Sequence, residues 1–253
     1  MLKKLIYILL IALIFIVITG ERNLNSIQLS DESALHTKTV ETQSLPSSFS
    51  TKLTSGKPVT IVFLGDYVTS DDSLPDGNLN HVGLLASWFN KNYPDQVKII
   101  NAGMNANTVS HMNKRIETDV IKHAPDLVVI SAGLNDALGA WKIPVKEYAA
   151  NYQAIVEAIV ASGDAEVVIR TPNPTTSVED NLKMKSYIQA SRELATQDSV
   201  YLFDFYQVMA DDVHAKNISQ LDLMQNKLHP NIKGQTYLSE QFKVYFTSEI
   251  IKP

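Results

Sequence analysis

Four short segments of this chain carry side chains with chemistry to offer, and three of them stand where a strand should end. Ile61-Val62-Phe63-Leu64 is a run of β-branched and apolar residues that stops abruptly at Gly65-Asp66-Tyr67-Val68-Thr69. A buried parallel strand delivers a tight turn at its carboxyl end in this way. Asn101-Ala102-Gly103 closes a second such run, and Gly133-Leu134-Asn135-Asp136 follows a third. Asn226-Lys227-Leu228-His229-Pro230-Asn231 precedes the last helical pattern. In open α/β sheets, ligands bind at the carboxyl ends of the strands. A glycine there lets a backbone N–H approach a ligand closely. The segments thus bring a phenol, a glycine N–H, a side-chain amide and an imidazole to that edge.

Together the four segments resemble the four sequence blocks of the SGNH, or GDSL, hydrolases, over about residues 57–250. The resemblance implies an esterase or acyltransferase frame. In that family the first block carries a nucleophilic Ser, whose own N–H also donates to the oxyanion. The glycine of the second block, here Gly103, supplies another N–H. The Asn of the third, here Asn135, supplies a side-chain amide. Each such donor is worth roughly 3–4 kcal/mol in comparable acyl-transfer sites. The His of the fourth block, here His229, is the general base, held by an Asp three residues earlier. Members act on acyl esters of lipids and carbohydrates, often O-acetyl groups of cell-envelope glycans, and the resemblance implies no metal or organic cofactor.

Two positions depart from the pattern. Tyr67 stands at the nucleophile and Asn226 at the acid. A phenol ionises near pH 10 and attacks poorly at neutral pH without strong activation. It also reaches roughly 4 Å further than a serine, into the space an acyl carbon would occupy. Thr69 and Ser70 are two and three residues displaced from the nucleophile position. Asn226 has the right size to hydrogen-bond the imidazole, but it cannot stabilise an imidazolium. In a serine-protease triad an Asp→Asn change costs about 10⁴ in turnover and loss of the nucleophile about 10⁶. Asp222 is a candidate stand-in acid. His36, His81, His111, His123 and His214 belong to no motif. Three functions are compatible with such a site: a catalytically impaired domain that still binds a glycan, lipid or protein; an active esterase or acyltransferase with a rearranged site; or a scaffold with a vestigial pocket.

The elements that must position these residues alternate in type. Strands are expected at Val59–Leu64, Val97–Asn101, Leu127–Ser131, Glu166–Arg170 and Val200–Asp204, with helices at about 80–93, 108–123, 145–162, 179–196 and 232–250. Short continuous apolar strands with helical crossovers specify an α/β fold. The expectation is a three-layer α/β/α sandwich on a five-stranded parallel sheet, flavodoxin-like in type. Segments 69–80 and 171–179 are expected as loops at the carboxyl edge that set specificity. No dinucleotide fingerprint, P-loop, Gly-x-Ser-x-Gly elbow or His-Glu-x-x-His motif occurs.

The N-terminus implies a location. Lys3 and Lys4 precede an uncharged apolar run, Leu5 to Thr19, closed by Glu21 and Arg22. Residues 1–20 are therefore expected to be a signal peptide or membrane anchor, with the lysines inside and the body extracytoplasmic. Residues 21–56, rich in Ser, Thr, Glu and Asn, are expected as a stalk, and 57–253 as the hydrolase-like domain. A net charge of −5 with no basic cluster beyond Lys4 argues against nucleic acid as a partner. The chain has no cysteine, which excludes disulfides and Cys-based metal sites. The expected partners are an acylated carbohydrate or lipid of the cell envelope, and the membrane through the N-terminal segment.

Overall fold

A computed structural model describes residues 47–252 apart from positions 76 and 217. The expected leader or anchor, and the expected stalk up to residue 46, lie outside the described residues. Among those described, no helix is long and apolar enough to cross a membrane.

The elements run α1 (Ser48–Thr54), β1 (Val59–Gly65), α2 (His81–Asn92), β2 (Val97–Gly103), α3 (Val109–Lys114), α4 (Ile116–Asp119), β3 (Leu127–Ser131), α5 (Leu134–Leu138), α6 (Val145–Ala161), β4 (Glu166–Arg170), α7 (Val178–Leu194), β5 (Val200–Phe203), α8 (Phe205–Ala215), α9 (Gln220–Leu223) and α10 (Ile232–Tyr245). The five strands form one sheet in the order β2-β1-β3-β4-β5, and every pairing is parallel. This is the doubly wound order whose switch point lies between β1 and β3.

The strands are apolar throughout because both faces are covered. Ile61, Phe63, Leu127, Val129 and Val168 pack with α1, α2 and α10 on one side. Val62, Leu64, Val128, Ile130, Val167 and Ile169 pack with α3 and α6 on the other. Each full burial of such a side chain is worth about 1.5–3 kcal/mol. The sheet register aligns Gly103, Gly65, Ser131, Arg170 and Phe203 across the carboxyl edge.

Four local departures have physical causes. The folded domain starts before residue 57, because Phe49 and Leu53, one turn apart on α1, are buried in the first core. Ser50 Oγ also donates to the Lys252 carbonyl at 2.7 Å, tying α1 to the far end of the chain. The expected helix over 108–123 is broken at Arg115, and it ends at Ala124 in the left-handed region with φ 46°. Arg115 is drawn inward, donating to the Gly65 carbonyl at 3.1 Å, Asn107 Oδ1 at 2.9 Å and Asp119 at 2.7 Å. The last helix changes to a π-turn over Phe246–Ile250, closed by Ile251 N–H to the Phe246 carbonyl at 2.7 Å. Finally, α8 was not expected; it is nucleated by Asp204, whose Oδ1 accepts from Gln207 N–H.

Candidate active site

Tyr67 leaves β1 and meets His229, which lies just before α10: their ring centroids are 4.6 Å apart with planes at 55°. The Tyr67 hydroxyl donates to the Ser73 carbonyl at 3.3 Å, so the phenol is turned along its own loop. Both residues are half-buried. Thr69 and Ser70 are buried, and Ser70 Oγ caps the turn at Asp71–Ser73 by accepting from Asp72 N–H. Neither hydroxyl is presented as a substitute nucleophile.

The loop carrying His229 is fixed by Asn226. Asn226 Oδ1 accepts from Leu228 N–H at 2.8 Å and His229 N–H at 2.9 Å. Two backbone donors identify that atom as the oxygen, since only oxygen can accept them. The amide nitrogen then faces His229 Nδ1, at 3.3 Å. A carboxamide NH₂ donates, so Nδ1 accepts and the ring proton sits on Nε2. A general base for a hydroxyl requires the opposite tautomer, with Nδ1 protonated and Nε2 free. Among the described residues no carboxylate bonds to His229. Asp222 is exposed and meets this loop only through its backbone carbonyl, which accepts from Asn231 Nδ2 at 2.9 Å. Burial holds the imidazole below its ordinary pKa of 6.5. Burial thus favours the neutral ring over the imidazolium.

Gly103 has a different task from the one expected. Its N–H donates to Asn101 Oδ1 at 2.9 Å, so it is already engaged within β2. The glycine is required by close packing: a Cβ would lie 2.3 Å from the Ser70 nitrogen. Asn101 is the clamp here, its amide nitrogen donating to the Thr69 carbonyl at 2.8 Å and to Asp71 at 2.6 Å. Further along the same loop, Ala106 adopts φ 58°, the left-handed region. Among the described residues its N–H has no partner, and the next residue, Asn107, accepts from Asn135 Nδ2 at 3.0 Å through its carbonyl. Ala106 N–H, Tyr67 N–H and the second Asn135 amide hydrogen are thus among the donors of these loops that have no partner among the described residues. Nothing in the side chain of an alanine announces a left-handed backbone, so sequence reasoning had no signal for it.

Beneath the site lies a buried polar layer. The Arg170 guanidinium is buried at the end of β4, donating to Ser131 Oγ at 2.6 Å and lying 5.8 Å from the Phe205 ring centroid. Burial lowers its pKa to about 10. Burial raises Asp66 to about 6, against the pull of Arg170 and of the Val68 N–H. Asp136 is likewise raised to about 6 by burial; its Oδ1 accepts from Val109 N–H at 3.0 Å while Oδ2 has no partner. His81, which belongs to no motif, opens α2. It is fully buried, stacked on Phe242 at 5.7 Å, and held neutral by burial with its pKa lowered to about 3.

Residues 171–175, expected to help set specificity, are buried and buttress the His229 loop instead. Asn173 Nδ2 donates to the Leu228 carbonyl at 3.0 Å, and Thr176 N–H to the Lys227 carbonyl at 3.1 Å. The described residues contain no group of His, Cys, Asp and Glu side chains suited to hold a metal.

An imidazole and amide donors thus stand at the carboxyl edge of a 2-1-3-4-5 sheet, beside its switch point. The chain belongs to the GDSL-like lipase/acylhydrolase family, whose model matches residues 63–237. It is similar to an acetylxylan esterase of Geobacillus stearothermophilus, at 26% identity over 210 residues, covering 76% of this chain and 94% of that enzyme. The crystal structure of an acetylxylan esterase from that organism superposes with a TM-score of 0.64 at 22% identity, over 78% of this chain and 98% of the other. A second acetyl xylan esterase superposes with the same score and identity, over 74% and 98% of the two chains. At such identities the superpositions establish the fold. Solved forms of the Geobacillus esterase include catalytic mutants in which a serine, a histidine or an aspartate is replaced by alanine.

Proposed function

We propose that this chain is a catalytically impaired member of the family that binds an acylated carbohydrate of the cell envelope, with its body outside the cytoplasm and its first 20 or so residues serving as leader or anchor. The observation that carries the impairment is the amide of Asn226. With its oxygen bound to two backbone N–H groups and its nitrogen aimed at His229 Nδ1, it sets the tautomer that cannot accept a hydroxyl proton at Nε2. The aromatic ring at position 67, packed on the imidazole, stands where relatives are expected to present a small nucleophile. The open donors Ala106 N–H and Asn135 Nδ2 remain suited to a carbonyl oxygen. A carbohydrate ligand follows from the likeness to acetylxylan esterases, and the location from Lys3-Lys4 and the apolar run behind them.

The test is hydrolysis of 4-nitrophenyl acetate by the detergent-solubilised full-length chain, beside a His229→Ala control. Equal rates support the reading. Turnover that depends on Tyr67 overturns it and makes the protein an active esterase with a rearranged site.

A further inference from the structure

We propose that Trp141, backed by His111, is a stacking platform for a sugar ring of the ligand, one helical turn outside the pocket. This rests on reading the ligand as a carbohydrate and adds where, and by which face, it is held.

Trp141 is 65% exposed, whereas every other described aromatic residue is buried or half-buried. Single apolar side chains on a surface need no explanation by themselves. This one is held in place on three sides. Gly139 N–H donates to the Asn135 carbonyl at 2.9 Å, Ile143 N–H donates to the Asp136 carbonyl at 3.2 Å, and the Tyr187 hydroxyl donates to the Ile143 carbonyl. Between those anchors Lys142 takes φ 43°, a conformation disfavoured for a residue with a Cβ. The loop therefore presents the indole on a fixed backbone. The imidazole of His111 lies 5.6 Å away, with the planes at 69°.

The position is set by covalent reach. Gly139 lies one helical turn from Asn135, about 6 Å along the axis. Trp141 is two residues further, at most roughly 8 Å between Cα atoms. A ligand of a few sugar units whose acyl group met Asn135 is long enough to reach the indole. The polar half of the match comes from His111. Its Nδ1 accepts from Thr108 N–H at 3.3 Å, so in the neutral ring Nε2 carries a proton and is free to donate to a hydroxyl. A pyranose has an apolar C–H face and an equatorial rim of hydroxyls. An aromatic face with an imidazole donor beside it offers contacts to both.

The test uses the full-length chain in detergent, titrated with xylotetraose, acetylated and unacetylated, and with chitotetraose. The chain has two tryptophans, so intrinsic fluorescence reports on the platform directly. The expected result is a fluorescence change that survives Trp88→Phe, and a Kd weakened about tenfold or more by Trp141→Ala in calorimetry. Trp141→Tyr should restore part of the affinity, with thermal midpoints unchanged in both variants. If the wild type binds one of these oligosaccharides and Trp141→Ala binds it equally, the platform is wrong while the carbohydrate reading stands. If the wild type binds none of them, both fall.

Discussion

Asn226 donates to His229 instead of accepting from it: the Nδ2 to Nδ1 contact of 3.3 Å runs in the opposite sense to that of a catalytic acid and its histidine. An Asp at this position could still accept both backbone N–H groups with one oxygen, leaving the other to accept from a protonated Nδ1. The loop conformation is compatible with either residue, and only the direction of the proton changes.

That reversal predicts the outcome of restoring the triad. Tyr67→Ser alone should give at most weak acetyl-ester hydrolysis, because the base keeps the wrong tautomer. Tyr67→Ser with Asn226→Asp should give clearly more than the sum of the single changes, since triad members act as a unit. Initial rates of the four forms are sufficient. A dead double variant would mean that the pocket has drifted beyond these two positions, which favours the scaffold reading.

The same contact can be read without catalysis. In the wild type, ¹⁵N shifts of His229 should report the Nε2-protonated ring, with a pKa below 6.5 because burial opposes the charge. Asn226→Asp should switch the proton to Nδ1 and raise the pKa, as a carboxylate within hydrogen-bond reach favours the imidazolium. An unchanged pKa in the variant would contradict this account of the loop.

Two positions at and just after the end of β2 should respond very unequally to exchange between glycine and alanine. Gly103→Ala places a Cβ 2.3 Å from the Ser70 nitrogen, a backbone atom that cannot move aside. A loss of about 3 kcal/mol or more is expected. Ala106→Gly relieves a left-handed alanine at φ 58°, but adds freedom to the unfolded chain, so the net change should stay within about 1 kcal/mol. Urea unfolding of both variants checks the contrast; similar losses would show that Ala106 is not strained.

Asp136 should make stability depend on pH. Its folded pKa of about 6 lies above the ordinary 3.8. A carboxyl raised in this way stabilises when protonated: its contribution is full below about 3.8 and is lost as pH rises through about 6. Asp136→Asn keeps the acceptor for Val109 N–H and removes the charge. Relative to wild type it should therefore gain about 1–3 kcal/mol at pH 7.5, and the gain should vanish near pH 4. His81, depressed to about 3, acts in the other direction, so the difference between the two proteins is the quantity to follow. A variant less stable at both pH values would show that the carboxylate is needed for something other than its charge.

Protease added to intact cells should digest the folded domain, with the N-terminal residue of the mature protein reporting whether the apolar segment is cut. A protected domain would refute the extracytoplasmic placement.

The sheet was legible because β1, β3 and β4 are buried on both faces and so read as uninterrupted apolar runs bounded by turn residues. The long helices α6 and α7 lie within two residues of their expected limits. The helix over 108–123 misled because nothing in its periodicity shows that Arg115 turns inward to Gly65. At the site, motif residues gave the neighbourhood of Tyr67, Asn226 and His229. The tautomer depends on which atom of Asn226 the backbone claims, and the engagement of Gly103 depends on Asn101. Those are contacts, and a string of residue types does not state them. Arg170 ends an apolar strand, so only the fold reveals that its charge is buried below Asp66.

One consequence follows from the turn at Asn226. The oxygen that holds Leu228 and His229 N–H is common to asparagine and aspartate, so the fold has no stake in which of the two is present. A position that folding treats as neutral is guarded by selection on turnover alone. If turnover carries no benefit, this residue is free to change, whereas the Asn173 buttress, the Asn231 cap and the sheet below it are still needed for folding. The pocket is then a frame whose shape is inherited through its folding contacts, whereas its chemistry persists only as long as a cell has use for it.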